Sequence, residues 1–543
     1  MRIDRLLKLM ILTVLTFLAV FQVSFSLVES WSQPQIQSRL ELYQTSLLLN
    51  GAEWQGPNTD LTQDFKAARN PLIGSEPFKN AQKQYQEALA ATQSTQSKIL
   101  AKLQELSSKE TAISQQLAKP QLQLAPIEDA PSSSQLRQQL QKSLSQTAQL
   151  IDELNLRLGI LQAKQGETES AIKTWSDVIN GKAVDPAIEA TTPSTQTAVV
   201  LIGLWSDPPR LLPDAESELQ KTLDSWFRNQ ALRKLYQLQQ RQDALSLLQA
   251  QQQQMAEQAI WKLALVGGIP GLGGLLGVGL LLFLFGQWVV QGRRSLLATN
   301  SNIPWQTPWD GETIWQVLIL GFFFIGQILL PLLLPIGLRS LGLNPVNFTI
   351  RMKAFYTLLT YLMLAGGGLL VIYLSIKPFL PLSEDWFSFK WRSNWFTWGL
   401  GGYLVALPLV ILVSLINQKL WQGQGGSNPI LPLVLEGQDK IALGIFALTA
   451  CIAAPLFEEM MFRGFLLPSL TRYLPVWGAV GASSLLFAIA HLSLSEVLPL
   501  TTLGIVLGVV YTRSRNLLAP MLLHSLWNSG TLLSLFVLGS GFN

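Results

Sequence analysis

The chain has 543 residues, 48% of them hydrophobic and only 14% charged, with a net charge of +4. So small an excess of base over this length leaves no electrostatic footprint for nucleic acid, and a single cysteine, Cys451, excludes any intrachain disulfide. The averages conceal two unlike regions. Residues 29 to about 258 are polar and rich in Gln, Ser and Leu, whereas from about residue 260 onward the chain is a series of long apolar runs; this is the pattern of a membrane protein with one large soluble insert.

At the N-terminus, Arg2, Arg5 and Lys8 lead into an apolar run that ends in "FSLVES" with no small-residue cleavage pattern. An uncleaved anchor over residues 1–28 is expected, with its N-terminus on the cytoplasmic side. Residues 29–258 then form an extracytoplasmic helical region. Helical apolar spacing runs from Asn80 to Leu117 and from Ser133 to Asn180, with Pro120, Pro126 and Pro131 breaking the two apart. Within the second stretch, "LNLRLGILQAKQGETESAIKTWSDVIN" resembles a tetratricopeptide (TPR) unit, giving a TPR-like segment around 148–186. Gly159 and Ala171 fall where two helices must approach closely, and Trp175 takes the later large-residue position. A fainter echo lies around Ala244. One and a half repeats cannot bury a solenoid core, so a plain helical hairpin or coiled coil fits as well. Either is a typical docking module for a protein partner.

Eight further apolar runs follow, near 263–290, 314–337, 355–376, 397–417, 441–463, 475–496, 498–512 and 517–538, each long enough to span. The expected fold class is all-α, a polytopic transmembrane bundle of about nine spans. It divides into helices 2–5 over 259–420 and a last region over 421–543, in a bacterial inner membrane or a thylakoid- or plastid-type membrane. With the N-terminus inside, the cytoplasmic ends carry Arg293, Arg294, Lys377, Lys390, Arg392, Arg472, Arg513 and Arg515, and the outer loops Arg339, Arg351, Lys353, Lys419 and Lys440.

The stretch "PLFEEMMFRG" places Glu458, Glu459 and Arg463 inside such a run, where an unpaired charge costs roughly 2.5–3.5 kcal/mol. The chain's two histidines, His491 and His524, lie in the same region. Glu459 and Arg463 are four residues apart with the acid first, the favourable order for a pair within one helix, which leaves Glu458, rotated by about 100°, as the free carboxylate. His524 and Asn528 likewise share a helical face. Singly, each group reads as interhelical glue or a packing ion pair. Two acids, a base, both histidines and an asparagine together are better explained by one wet cavity. Such a site supports hydrolysis: a carboxylate takes a proton from water, a histidine relays it, and His and Asn donate to an oxyanion. Two histidines and a carboxylate can also hold a zinc ion. No H-E-x-x-H, no rhomboid-like G-x-S with a later membrane histidine and no intramembrane aspartate pair is present.

In this order "EEMMFR", "FAIAH" and "HSLWN" resemble the E-E-x-x-x-R, F-x-x-x-H and H-x-x-x-N motifs of the CPBP family, the type II CAAX prenyl protease and bacteriocin-processing (Abi) intramembrane proteases. The resemblance covers about residues 440–538, a fifth of the chain. It implies Glu458 as general base, His491 positioning or activating the water, His524 and Asn528 stabilising the oxyanion, and Glu459 with Arg463 in support. The family is usually labelled metalloprotease, so Zn2+ on Glu458, His491 and His524 is one expectation, and a metal-free glutamate mechanism fits the same residues. The substrate would be a membrane-associated protein or peptide. Two other classes compete. A non-catalytic membrane scaffold has no need of all six polar residues, and a transporter using a proton relay predicts an internal symmetry that the sequence lacks. One geometric conflict stands: Glu458 falls about 26 Å along the run from residue 441, and His491 about 24 Å along the antiparallel run from Pro475. Pro468 and Pro475 offer breaks that would let them meet.

Overall fold

The computed structural model describes residues 2–31, 36–56, 73–117, 133–180, 192–421, 424–437 and 439–540, and its regular elements there are all helices. Two compact units result. One is Glu41–Leu263; the other joins Met1–Leu40 to Ala264–Ser540.

In the first unit, helices Pro77–Leu117 and Ser133–Lys164 run along one another, and Thr168–Asn180 folds back on the second of these through a turn at Gly166, whose φ of +86° suits glycine. At Gly159 any side chain would collide with the Trp175 indole, whose Nε1 donates to the Leu156 carbonyl at 3.1 Å. Ala171 is fully buried in the same seam. The close approach expected of this pair is therefore observed. Pro120, Pro126 and Pro131 lie outside the described residues. Tyr85, Trp175, Trp226 and Phe227 supply the bulk of the core.

In the second unit, eight helices among the described residues are long and apolar enough to cross a membrane: Leu6–Trp31, Gln242–Arg294 (which begins in the first unit), Gly311–Ser340, Ile350–Phe379, Trp395–Trp421, Lys440–Leu470, Leu494–Ser514 and Leu518–Gly539. The protein is a multi-pass integral membrane protein. The N-terminal helix is part of this bundle: Lys8 pairs with Glu312 at 2.9 Å, and Trp315 Nε1 donates to Thr16 Oγ1 at 2.7 Å.

The apolar run expected as one span over 475–496 differs. It forms a helix of only 14 residues, Val476–Ile489, and the next helix begins at Leu494. Between them Leu492 takes φ +56°. The break is imposed from outside the run. Gly425 O accepts from the Ser495 amide and from Ser493 Oγ, both at 3.1 Å, Asn417 Nδ2 donates to Ser495 O at 2.6 Å, and Glu496 Oε1 accepts the Asn428 amide at 2.8 Å. Two of them satisfy backbone groups of the second helix: the first-turn amide of Ser495, and the Ser495 carbonyl, whose helical partner would be Pro499.

One close approach and one aromatic cluster set the position of the acidic helix. Helix Ile350–Ile376 meets Phe457 at Gly368, where a Cβ would lie 2.7 Å from the Phe457 ring. Below it Phe322, Phe457, Phe462, Phe487 and Trp309 form an aromatic core around Lys440–Leu470.

Candidate active site

The helix that carries the two acids is not a regular α-helix. Leu448–Ala453 and Glu459–Leu466 are wound as π-helix on either side of the α-turn Ala454–Glu458. Such widened turns cluster at functional sites because they redirect side chains and free backbone groups. Here Ala454 N–H bonds to Thr449 O, one residue further back than in an α-helix. In that register the Ala450 carbonyl would next take the amide of residue 455, and the Cys451 carbonyl would take it in α register, but Pro455 has no N–H. Both carbonyls are claimed by the C-terminal helix: Asn528 Nδ2 donates to Ala450 O at 2.6 Å and Ser525 Oγ to Cys451 O at 2.5 Å. Asn528 is thus a latch between two helices in this structure.

Glu459 and Arg463 are both fully buried and pair at 2.8 Å, as their spacing leads one to expect. The pair does more than neutralise itself. Glu459 Oε1 also meets His524 Nδ1 at 2.8 Å, Arg463 NH2 donates to Gly504 O at 3.3 Å, and the guanidinium lies over the Phe487 ring at 4.4 Å. Since the carboxylate oxygen can only accept, His524 Nδ1 carries the proton of that bond. Nε2 is then the ring's free nitrogen, and it stands 3.9 Å from Glu458 Oε2.

Glu458 is not left free. Its Oε1 accepts from the Tyr361 hydroxyl at 2.8 Å, from helix Ile350–Ile376. Tyr361 escapes sequence reading because it is a single tyrosine in an apolar run; the one local signal is the nearby Gly366–Gly368 triplet, a mark of close helix contact.

His491 stands apart from this group. It sits in the turn after Val476–Ile489, with Nδ1 donating to the Phe487 carbonyl at 2.9 Å. Its ring packs edge-on against Phe487 at 5.0 Å, and His524 packs against the same phenyl ring at 5.8 Å. Both histidines therefore border one aromatic side chain. The half-buried acid Glu496, also unforeseen, carries a charge interaction with His491. Among the described residues no three His, Cys, Asp or Glu side chains converge as a metal-ligand set, so Glu458, His491 and His524 do not present the arrangement that a Zn2+ site requires.

Residues 440–530, which contain all six motif residues, match the family model of type II CAAX prenyl endopeptidase Rce1-like proteins. The chain is 24% identical over 221 residues to the membrane-embedded CAAX protease MroQ of Staphylococcus aureus (strain USA300), covering 40% of this chain and 87% of that protein. It is 24% identical over 132 residues to the putative membrane peptidase YdiL of Bacillus subtilis (strain 168), covering 24% of this chain and 53% of that one. An uncharacterized 24.3 kDa protein of Escherichia coli is 42% identical over 82 residues, 14% of this chain and 38% of that protein. No solved structure matches the chain. Residues 440–530 thus resemble the Rce1-like endopeptidases, and Tyr361 lies outside that stretch.

Proposed function

We propose that this Rce1-like protein is an intramembrane endopeptidase that hydrolyses a peptide bond in a membrane-associated protein or peptide. The observation that carries the reading is the facing of Glu458 Oε2 and His524 Nε2 at 3.9 Å. Both atoms are acceptors, too far apart to bond each other. A water entering between them would give a proton to each and turn its lone pairs towards a scissile carbonyl. Glu458 then takes one proton as the oxygen attacks the carbonyl carbon, and returns it to the leaving amine when the C–N bond breaks. Glu459 keeps His524 in the tautomer this requires.

His491, whose Nδ1 proton is committed to the Phe487 carbonyl, would meet the developing oxyanion only as an imidazolium donating from Nε2. Asn528 spends one amide hydrogen on the Ala450 carbonyl and would have only the second to offer the oxyanion. A bound zinc ion would supply Lewis-acid activation of the water, but the three donors do not converge on one point, and the steps above use the chain's own groups. The tethered helical region Glu41–Leu263 suits recognition of a protein partner or substrate outside the bilayer.

The test is substrate capture. Membrane proteomes of cells carrying the wild-type protein or Glu458→Gln are compared, and an intact precursor is expected to accumulate only with the variant. Identical proteomes would overturn the protease reading and leave a scaffold that keeps the fold.

A further inference from the structure

We infer that Tyr361 is a positioning residue for Glu458, selecting which carboxylate oxygen faces the water; the inference rests on the proteolytic reading above. A carboxylate on an ordinary side chain rotates freely, and its two oxygens are equivalent until something distinguishes them. Here the Tyr361 hydroxyl holds Oε1 at 2.8 Å, and Oε2 is left to face His524 Nε2 at 3.9 Å. The hydroxyl is itself fixed. Tyr361 packs edge-on against Phe457 with ring centroids 6.2 Å apart, Phe457 stacks on Phe322 at 6.3 Å, and the Phe457 ring fills the notch at Gly368 on the tyrosine's own helix. The residue next to the base thus clamps the helix that carries the residue orienting the base.

This arrangement explains a feature that the motif residues leave open. Glu459 is fixed by two partners on its own and the C-terminal helix, Arg463 and His524. Glu458 has no such partner among the motif residues, and its only hydrogen bond among the described residues comes from a helix outside the Rce1-like match. The site is complete only when helix Ile350–Ile376 is counted with the C-terminal region.

Two measurements test this. The first needs no substrate: Tyr361→3-fluorotyrosine keeps the hydroxyl and places a 19F label on the ring. Its resonance in detergent-solubilised full-length protein is expected to move when Glu458→Gln is added and to stay in place when Glu496→Gln is added instead. A resonance indifferent to Glu458→Gln overturns the contact. The second is turnover of the precursor captured with Glu458→Gln. Tyr361→Phe keeps the packing, so kcat is expected to fall about tenfold, the scale of a lost hydrogen bond to a charged group, with KM unchanged, while Tyr361→3-fluorotyrosine keeps wild-type kcat. Wild-type kcat in Tyr361→Phe overturns the positioning role while leaving the protease reading intact. Proteomes that do not differ between wild type and Glu458→Gln overturn that reading instead, and the inference with it.

Discussion

Glu459 Oε1 is shared between Arg463 and His524, each at 2.8 Å. One oxygen therefore both neutralises a buried guanidinium and fixes the orientation of an imidazole 65 residues away. On the proposed function the two adjacent glutamates divide the work: Glu459 would build the site, and Glu458, bonded among the described residues only at Oε1, would be left for chemistry.

That division predicts opposite phenotypes. Glu458→Gln abolishes precursor cleavage and leaves the thermal midpoint of the purified protein unchanged. Arg463→Ala strands the buried Glu459 carboxylate, at a cost of about 3–5 kcal/mol, and is expected to deplete the protein from membranes as read by immunoblot.

Asn528 and Ser525 are predicted to matter for stability. Each donates to a carbonyl orphaned by the π-turn and Pro455, so Asn528→Ala and Ser525→Ala each lower stability by roughly 1–3 kcal/mol, the cost of an unsatisfied buried acceptor. An Asn528→Ala protein that melts like wild type but cleaves poorly would show that the amide serves the oxyanion instead.

Gly368→Ala places a methyl group 2.7 Å from the Phe457 ring and 3.1 Å from the Gly321 carbonyl. Overpacking of this kind costs about 1–3 kcal/mol. Because the same contact sets Tyr361 against Glu458, kcat is expected to fall although Gly368 touches no motif residue. Unchanged kcat would mean that the helix yields without disturbing the base.

Chelation of divalent metals is expected to leave turnover intact, and elemental analysis of the purified protein to find less than stoichiometric zinc, because Glu458, His491 and His524 do not converge. Loss of activity with EDTA, restored by Zn2+, would require the donors to regroup.

In the Glu41–Leu263 unit the Tyr236 hydroxyl holds the Glu216 carboxyl below its ordinary range, with Arg241 adding to the effect at 2.9 Å. A depressed carboxyl pKa stabilises the fold above its unfolded value and stops doing so as pH falls through the lower folded value. Hydrogen exchange of helix Ala215–Thr222 in the full-length protein should therefore quicken as pH is lowered below about 4.3, the ordinary glutamate value, after correction for intrinsic rates. Glu216→Gln should remove that step.

What could be read from the sequence follows the range of the interactions. The Glu459–Arg463 pair is legible because its partners are four residues apart on one helix, and it survives even though that turn is wound wider than the α-helix assumed. Tyr361 is illegible because its partner is 97 residues away and nothing in an apolar run distinguishes a hydroxyl that faces an acid from one that faces lipid. The run 475–496 reads as one straight span, but its break falls after Ile489 and so leaves the depth conflict between Glu458 and His491 in place. Apolarity alone permits that reading, and only the bonds from Asn417, Gly425 and Asn428 forbid it. His491 meets the site through Phe487, whose ring packs against both histidines.

The 14-residue helix Val476–Ile489 rises about 21 Å, whereas the hydrocarbon core of a bilayer is about 30 Å thick. Lipid beside it must thin or surrender part of its depth to water and headgroups. Hydrophobic mismatch is therefore expected to thin the membrane beside the helix whose end presents His491. A thinner bilayer there would shorten the path of bulk water to Glu458 and the distance over which a peptide segment must shed its hydration. Shortening one wall of the bundle shortens both journeys.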